Sequence, residues 1–217
     1  MPDVSERCRL VLIAPVTDTA EALAGQLEKA LAGGDVASVV LVQRELDDKS
    51  FQDHCAAAVP VIQKAGAAAL VAGDTRVAGR VKADGIFVTG NAEDLREAVE
   101  KHAPGMIVGG GNAKERHVAL IMGEAEPDFI FFGKLDGDIK PEPHKKNTAL
   151  AEWWASMVGI PCILMGGSDA SHAVELAQTG AEFVAFGKAV FEVEDSPEAV
   201  VSRINAELDE KAPRFED

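Results

Sequence analysis

The sequence predicts a single (β/α)8 TIM barrel that spans residues 1–217. The chain has 217 residues, 47% of them hydrophobic, which is enough to bury one large core. Apolar runs alternate with amphipathic stretches, and the runs start about 25 residues apart, close to the repeat of such barrels. The competing architecture, an open doubly wound sheet, normally has a glycine-rich first turn. The first turn here, residues 14–18, has no glycine.

Eight runs are predicted as strands because they are apolar at consecutive positions, as in parallel strands covered on both faces. They are residues 10–16, 37–42, 67–72, 85–88, 106–108, 129–132, 160–165 and 183–186. The stretches that follow them have the helical period of segments that cover a sheet. The predicted helices are residues 19–31, 51–65, 75–81, 92–102, 113–122, 148–158, 170–178 and 197–208. We expect the charged tail, from about residue 209 to residue 217, to fray.

The charge balance excludes two classes of partner. Lys and Arg number 21 against 36 Asp and Glu, and the net charge of −15 repels nucleic-acid backbones and anionic membrane surfaces. No apolar run approaches the roughly 20 residues of a membrane span, and the N-terminus lacks the pattern of a signal peptide. We therefore expect a cytoplasmic protein. Its three cysteines lack metal-site spacing and are expected to be reduced and packed in the core.

Two glycine-containing turns follow the last two predicted strands, Gly166-Gly167 and Gly187-Lys188. Barrels of this type carry their active sites on the loops after the strands, and commonly bind a phosphate after strands seven and eight. Glycine lets the backbone approach a ligand, and amides at a helix start point toward an anion. The turns therefore predict a phosphate site. The alternative is that these glycines only close two tight turns.

Two carboxylates follow neighbouring strands at the same end of the predicted barrel. Asp74 comes after strand three and Asp94 after strand four. Mg²⁺ is commonly bound by one or two carboxylates together with waters and substrate phosphate oxygens, so the pair is a candidate magnesium site. The alternative is that each aspartate caps the start of a helix, which is a very common use of this residue.

Cationic side chains gather on two loops of the same end, although the chain as a whole is acidic. Such a cluster suits a diphosphate, and the alternative is a solvated loop. The candidates are Arg44, beside Gln43 after strand two, and Lys134, Lys140, Lys145 and Lys146 after strand six. His144 in that second loop is a candidate acid or base. The sequence has no G-x-S-x-G, H-E-x-x-H or P-loop motif to indicate a hydrolase, zinc protease or NTPase.

The order of these fragments resembles the thiamine-phosphate synthase family and its sister group, the thiazole tautomerases. The resemblance covers residues 10–190. The fragments that carry it are Gln43-Arg44, Gly73-Asp74, the segment from Asp84 to Gly90 with Asp94 after it, Ile139-Lys140-Pro141, Gly166-Gly167 and the segment from Gly180 to Gly187.

The resemblance implies an enzyme that joins hydroxymethylpyrimidine diphosphate to hydroxyethylthiazole phosphate and releases diphosphate. Asp74 and Asp94 would then hold Mg²⁺ on the diphosphate, while Lys140 and Arg44 neutralise the leaving group. The pyrimidine would contact Gln43, and the thiazole phosphate would lie on the glycine turns. The substrate-binding positions implied in this way are Gln43, Gly110, Gly166, Gly167, Gly187 and Lys188.

The chain departs from the family pattern at several positions where the family carries hydrogen-bond donors to the diphosphate. They are Gly73, Phe87, Gly110, Gly137 and Ile139. Two other functions therefore stay open: a thiazole phosphate tautomerase, with His144 or Lys140 moving a proton, and a phosphate-binding barrel without catalysis. Expected partners are small phosphate and diphosphate compounds, and the helix with Trp153 and Trp154 is a candidate surface for a homo-oligomer.

Overall fold

A computed structural model describes residues 6–111 and 113–215, and it confirms the predicted barrel. Eight parallel strands close on themselves in chain order, because β1 pairs with both β2 and β8. The strands are β1 (Arg9–Ile13), β2 (Ser38–Val42), β3 (Ala68–Ala72), β4 (Gly85–Val88), β5 (Ile107–Gly110), β6 (Phe129–Phe132), β7 (Cys162–Met165) and β8 (Phe183–Phe186). Strand β1 ends three residues earlier than predicted, which leaves Ala14, Pro15 and Val16 in the loop beyond it.

Helices follow the strands around the outside. They are α1 (Ala20–Leu31), α2 (Asp48–Lys64), α3 (Thr75–Val81), α4 (Ala92–His102), α5 (Arg116–Gly123), α6 (Lys145–Met157), α7 (Ala173–Ala177), α8 (Lys188–Phe191) and α9 (Pro197–Lys211), with a 3-10 turn at Ala170–His172. Helix α6 begins three residues before its predicted start, because its first turn is exposed and carries no apolar period. Helix α8 was not predicted, since four residues are too short to show a period.

Apolar side chains fill the inside of the barrel. Three phenylalanines meet there, and the rings of Phe87 and Phe131 pack edge to face with centroids 5.1 Å apart. Phe129 packs against Phe87 with a centroid distance of 5.8 Å. A second and larger apolar layer lies between the strands and the helices. Because the interior is filled, a ligand has room only at the ends of the barrel.

The first and last described segments are tied together below the barrel. Arg7 is 1% exposed, and its guanidinium donates to the Asp209 carboxylate at 2.7 Å and to the Asn205 side-chain oxygen at 3.0 Å. Helix α9 continues to Lys211, and the Phe215 amide donates to the Glu6 carbonyl at 2.8 Å. The tail expected to fray from about residue 209 is therefore folded against the barrel through Phe215. Residues 216 and 217 lie outside the described residues.

All three cysteines are buried and free, as expected for packing residues. Burial raises the pKa of Cys55 to about 12 and raises the pKa of Cys8 and of Cys162 further. Trp154 is completely buried, and its indole N–H donates to the Ile160 carbonyl at 2.7 Å. The oligomer surface on this helix stays a prediction. No helix within residues 6–111 and 113–215 is long and apolar enough to cross a membrane.

Candidate active site

Two adjoining cavities open at the carboxyl ends of the strands. The first has a volume of about 760 Å³ and lies between the loops after β1 and β2 and the loop after β6. The second has a volume of about 900 Å³ and lies between the loop after β5, the loop after β6 and the end of β7. We call residues 133–144 the β6–α6 loop. Gly133 and Lys134 at its start line both cavities.

The first cavity is mainly apolar. Its walls include Leu41, Phe51, Phe87, Phe131 and Leu135. Gln43 and Arg44, both predicted as site residues, also line it, so the structure brings these two together. The Gln43 side-chain amide donates to the Asp48 carboxylate at 2.9 Å. Apolar walls with polar groups among them suit a heteroaromatic ring.

Arg44 is held in an unusual backbone conformation at the mouth of this cavity. Its φ of 45° lies in the left-handed region, which residues other than glycine seldom adopt. The guanidinium donates to the Ala14 carbonyl at 3.0 Å. Desolvation by the surrounding protein lowers the pKa of Arg44, and the carboxylates of Asp138, Asp136 and Glu192 oppose that shift. The charge of Arg44 therefore faces acidic side chains of the β6–α6 loop.

Two departures from the family pattern are explained by packing in this cavity. At Gly73 an added Cβ would lie 2.8 Å from the Gln43 side-chain oxygen and 2.9 Å from the Phe51 ring. An asparagine there would displace the Gln43 carboxamide, which already fills that space. Phe87, where the family has a histidine, belongs to the aromatic cluster inside the barrel. Gln43 and Gly73 are thus a sterically coupled pair.

The second cavity is strongly basic. Five lysines line it, and Glu142 is the one acidic residue among its lining residues. Four of the five are the predicted loop lysines, and sequence reasoning missed Lys114, which sits just before α5 inside a segment predicted as helix. None of the five forms an ion pair within the part of the chain that the structure describes. The lysines are Lys114, Lys134, Lys140, Lys145 and Lys146.

The glycine turn after β7 is packed against the β6–α6 loop. An added Cβ at Gly167 would collide with the carbonyl oxygens of Lys140 and Pro141. The Ser168 amide donates to the Lys140 carbonyl at 2.8 Å. Gly166 lines the second cavity, and a side chain there would strike the Phe186 ring. The amide after Gly167 is therefore already bound by the protein itself.

The turn after β8 is filled by a carboxylate. Asp138 is 3% exposed, and its Oδ2 accepts a hydrogen bond of 2.6 Å from the Lys188 amide. The same oxygen would lie 2.9 Å from a Cβ at Gly187. The phosphate expected on Gly187 and Lys188 stays a prediction, and it requires that the Asp138 carboxylate leave this turn. No local sequence signal shows this contact, because its partners are 50 residues apart.

We expect Asp138→Ala to lower the free energy of unfolding by about 1–3 kcal/mol, because the part-buried Lys188 amide loses its acceptor. Added inorganic phosphate should raise the unfolding temperature of this variant more than that of the original chain, because the anion can take the vacated place. Thermal unfolding with and without phosphate measures both effects. Asp136→Ala, on the same loop but exposed, is the control. Equal stabilisation of both proteins by phosphate would contradict a phosphate site at this turn.

The two predicted metal ligands both act as helix caps. Asp74 accepts the Arg76 amide at 2.9 Å and forms an ion pair of 2.6 Å with the Arg76 guanidinium, whose hydrogen bonds lower the pKa of Asp74. Asp94 and Asn91 form a capping box at the start of α4. Neither aspartate lines either cavity. No group of three or more His, Cys, Asp or Glu side chains suited to a metal occurs in the described segments. Mg²⁺ is also held by waters and substrate phosphate oxygens, so a site made of two carboxylates needs no such group, and the expected Mg²⁺ site stays a prediction.

Gly110 has a packing role that the sequence did not indicate. It is the last residue of β5, and an added Cβ there would collide with the Val88 carbonyl of the neighbouring strand. The same holds for Gly111, where a Cβ would collide with the Phe131 carbonyl. Gly111 lines the first cavity, whereas Gly110 lines neither cavity. The substrate-binding role expected for Gly110 stays a prediction.

The comparisons with known proteins agree with this architecture. The family model described as thiamine monophosphate synthase matches residues 10–190. The chain belongs to this family. The resemblance stated from the sequence is thereby confirmed. As a member of the thiamine monophosphate synthase family, the chain aligns with its relatives over nearly its whole length.

The thiamine-phosphate synthase of Rhodospirillum centenum is 32% identical over 201 residues, which cover 91% of this chain and 96% of that protein. The thiamine-phosphate synthase of Hyphomonas neptunium is 31% identical over 211 residues, covering 92% and 93%. Among solved structures, thiamine phosphate pyrophosphorylase from Pyrococcus furiosus has a TM-score of 0.77 at 20% identity, covering 96% of this chain and 98% of that one. This last similarity supports the fold.

Proposed function

We propose that this chain catalyses the thiamine-phosphate synthase reaction, joining hydroxymethylpyrimidine diphosphate to hydroxyethylthiazole phosphate with release of diphosphate. Family membership and the names of the relatives support the activity. The structural observation that carries it is the pair of adjoining cavities, one apolar and one lined by lysines, that meet at Gly133 and Lys134. A ring and a diphosphate linked by one carbon match such a pair.

In the reaction, one bond of a methylene carbon breaks and another forms. The bond from this carbon to the diphosphate oxygen breaks, and the oxygen keeps the electron pair. The thiazole nitrogen then gives its own electron pair to the carbon and forms the new carbon–nitrogen bond. The transition state separates a cation from a polyanion, so fixed opposite charges stabilise it and no nucleophilic side chain is needed.

We assign each polar group a role from the cavity that it lines. The pyrimidine lies in the first cavity with its polar edge toward Gln43, and Arg44 contributes positive charge at the same mouth. The diphosphate extends past Gly133 into the second cavity, where Lys140 neutralises it together with Lys134. Gly133 has φ 148°, and a Cβ there would collide with Met165. Glycine thus lets the backbone turn at the junction between the two cavities.

The second substrate requires movement of the β6–α6 loop. For its phosphate to reach the turns at Gly167 and Gly187, the Lys140 carbonyl and the Asp138 carboxylate must withdraw. We assign this withdrawal to the binding of the thiazole phosphate, as in enzymes whose loops order around a substrate. The expected Mg²⁺, the homo-oligomer and the cytoplasmic setting stay predictions.

The activity is tested with the purified full chain and both substrates, with Mg²⁺ present. We expect thiamine phosphate and diphosphate to appear in equal amounts, and only when both substrates are added. Chromatography of the vitamin product and an enzyme-coupled assay for diphosphate measure the two yields. Conversion of the thiazole phosphate alone to an isomer would replace the proposal with a tautomerase. Heat of thiamine phosphate binding without turnover would replace it with a binding protein.

A further inference from the structure

We propose that His54 is a positioning residue that holds one wall of the first cavity in place. Its imidazole connects helix α2 to residues 14–19, which we call the β1–α1 loop. This inference rests on the proposed function, because the first cavity is where we place the pyrimidine ring. No step of the proposed reaction uses the His54 imidazole itself.

The His54 ring lies at the edge of the first cavity and is 7% exposed. It lines the cavity together with Phe51 and Cys55 of the same helix. The β1–α1 loop forms another part of the lining. The lining residues of that loop are Ala14, Pro15, Val16 and Thr17. His54 therefore stands where helix α2 and the β1–α1 loop meet at the cavity.

Both nitrogens of the His54 ring face backbone carbonyl oxygens. Nδ1 lies 2.7 Å from the Ser50 carbonyl, one turn earlier on α2, and Nε2 lies 3.3 Å from the Thr17 carbonyl. A carbonyl oxygen only accepts, so each contact needs a proton on the ring nitrogen. The protonated imidazole has two N–H groups and makes both bonds at once. The first bond orients the ring, and the second holds the loop.

The β1–α1 loop is otherwise held at its ends. The Ala14 amide donates to a carbonyl of β2 at 2.9 Å, and the Thr19 side chain caps the start of α1. In the part of the chain that the structure describes, the Thr17 carbonyl is the one backbone group of residues 15–18 that hydrogen-bonds another element. Val16 is 72% exposed and adds little packing. Loss of the His54 contact therefore frees the middle of the loop.

The same loop also holds Arg44. The Ala14 carbonyl accepts a hydrogen bond of 3.0 Å from the Arg44 guanidinium, and both residues line the first cavity. A displacement of about 1 Å at an active site can cost up to about a hundredfold in rate, because the reacting groups need a narrow range of geometry. His54 thus acts through the loop on the ring and on the charge at the cavity mouth.

Two substitutions separate the two contacts of the ring. Glutamine can place its amide nitrogen near the position of Nε2, whereas asparagine, one carbon shorter, reaches only the position of Nδ1. In His54→Asn we expect KM for hydroxymethylpyrimidine diphosphate to rise about tenfold, since a hydrogen bond from a charged donor is lost. The fall in kcat should be smaller, and KM for the thiazole phosphate should not change. His54→Gln should stay close to the original chain.

Steady-state kinetics with each substrate varied in turn measures these constants, at about pH 6, where histidine side chains commonly carry a proton. The matched control is His117→Asn. His117 is an exposed histidine on α5 that lines neither cavity, so its loss should change neither KM. A thermal scan checks folding, and His54→Asn and His54→Gln should unfold within about 3 °C of each other.

The order of the loop is measured without substrates, by amide hydrogen–deuterium exchange at the same pH. We expect residues 16–18 to exchange about fivefold faster or more in His54→Asn than in His54→Gln or the original chain, because the loop opens locally. Equal loop exchange, or equal KM, in the two His54 variants would overturn the inference. Faster loop exchange in His54→Asn, when the original chain has no synthase activity, would retain the His54 contact and reject the proposed function.

Discussion

Lys134→Ala is expected to lower kcat/KM for thiamine-phosphate formation about hundredfold. Lys134 lines both cavities. In the proposed reaction it lies beside the bond that breaks between the methylene carbon and the diphosphate. Negative charge grows on the bridging oxygen as that bond breaks, and a fixed cation beside it stabilises the transition state more than the bound substrate. Removing one such group commonly costs two to three powers of ten in kcat, about 2.7–4 kcal/mol.

The division between kcat and KM makes this prediction specific. We expect most of the loss in kcat, because a group acting on the breaking bond contributes little to binding in the ground state. Lys134→Arg should keep a substantial part of the activity, since it keeps the charge. Lys64→Ala, at the C-terminal end of α2, removes a lysine from the opposite end of the barrel and is the control. A rise in KM alone in Lys134→Ala would assign the residue to substrate binding.

Arg7→Ala is expected to lower the free energy of unfolding by about 2–5 kcal/mol, the scale observed when a large buried side chain is removed. Arg7 is 1% exposed and donates to the Asp209 carboxylate, the Asn205 side chain and the Cys8 carbonyl. The change leaves these acceptors without their donor and opens a cavity beneath α9. Denaturant unfolding followed by circular dichroism measures the loss.

The matched control is Arg203→Ala on the same helix α9. Arg203 pairs with Asp195 at 2.9 Å, but both side chains are more than half exposed. Exposed ion pairs contribute about 0–1 kcal/mol, so this variant should unfold close to the original chain. Equal losses for the two arginine variants would show that the Arg7 network does not hold the C-terminal helix in place.

The β6–α6 loop serves two sets of contacts at once. Its lysines face the second cavity, whereas Asp138 and the Lys140 carbonyl bind the turns after β8 and β7. Movement of this one loop therefore changes both the proposed diphosphate subsite and the predicted phosphate turns. The reaction that we propose needs both substrates, and we expect a loop that contacts both sites to couple their binding.

The barrel was predictable from the sequence because its main signal is local. Continuous apolar runs indicate strands buried on both faces, and their regular spacing indicates strand–helix repeats. The order of short fragments such as Gln43-Arg44 and Gly166-Gly167 also indicated the family, which the family model confirms. Gln43 and Arg44 both line the first cavity because the end of each strand fixes which residues reach the rim, and their expected roles stay predictions.

Only the tertiary structure decided which side chains contact one another at the carboxyl ends of the strands. Asp138 reaches a turn 50 residues away, and Gln43 fills the space above Gly73 from a different strand. In the sequence, Asp74 and Asp94 are compatible both with metal binding and with helix capping. Only the structure shows which donors surround each carboxylate. Local patterns specify strands and helices, whereas the pairing of a side chain depends on which loops the closed barrel brings into contact.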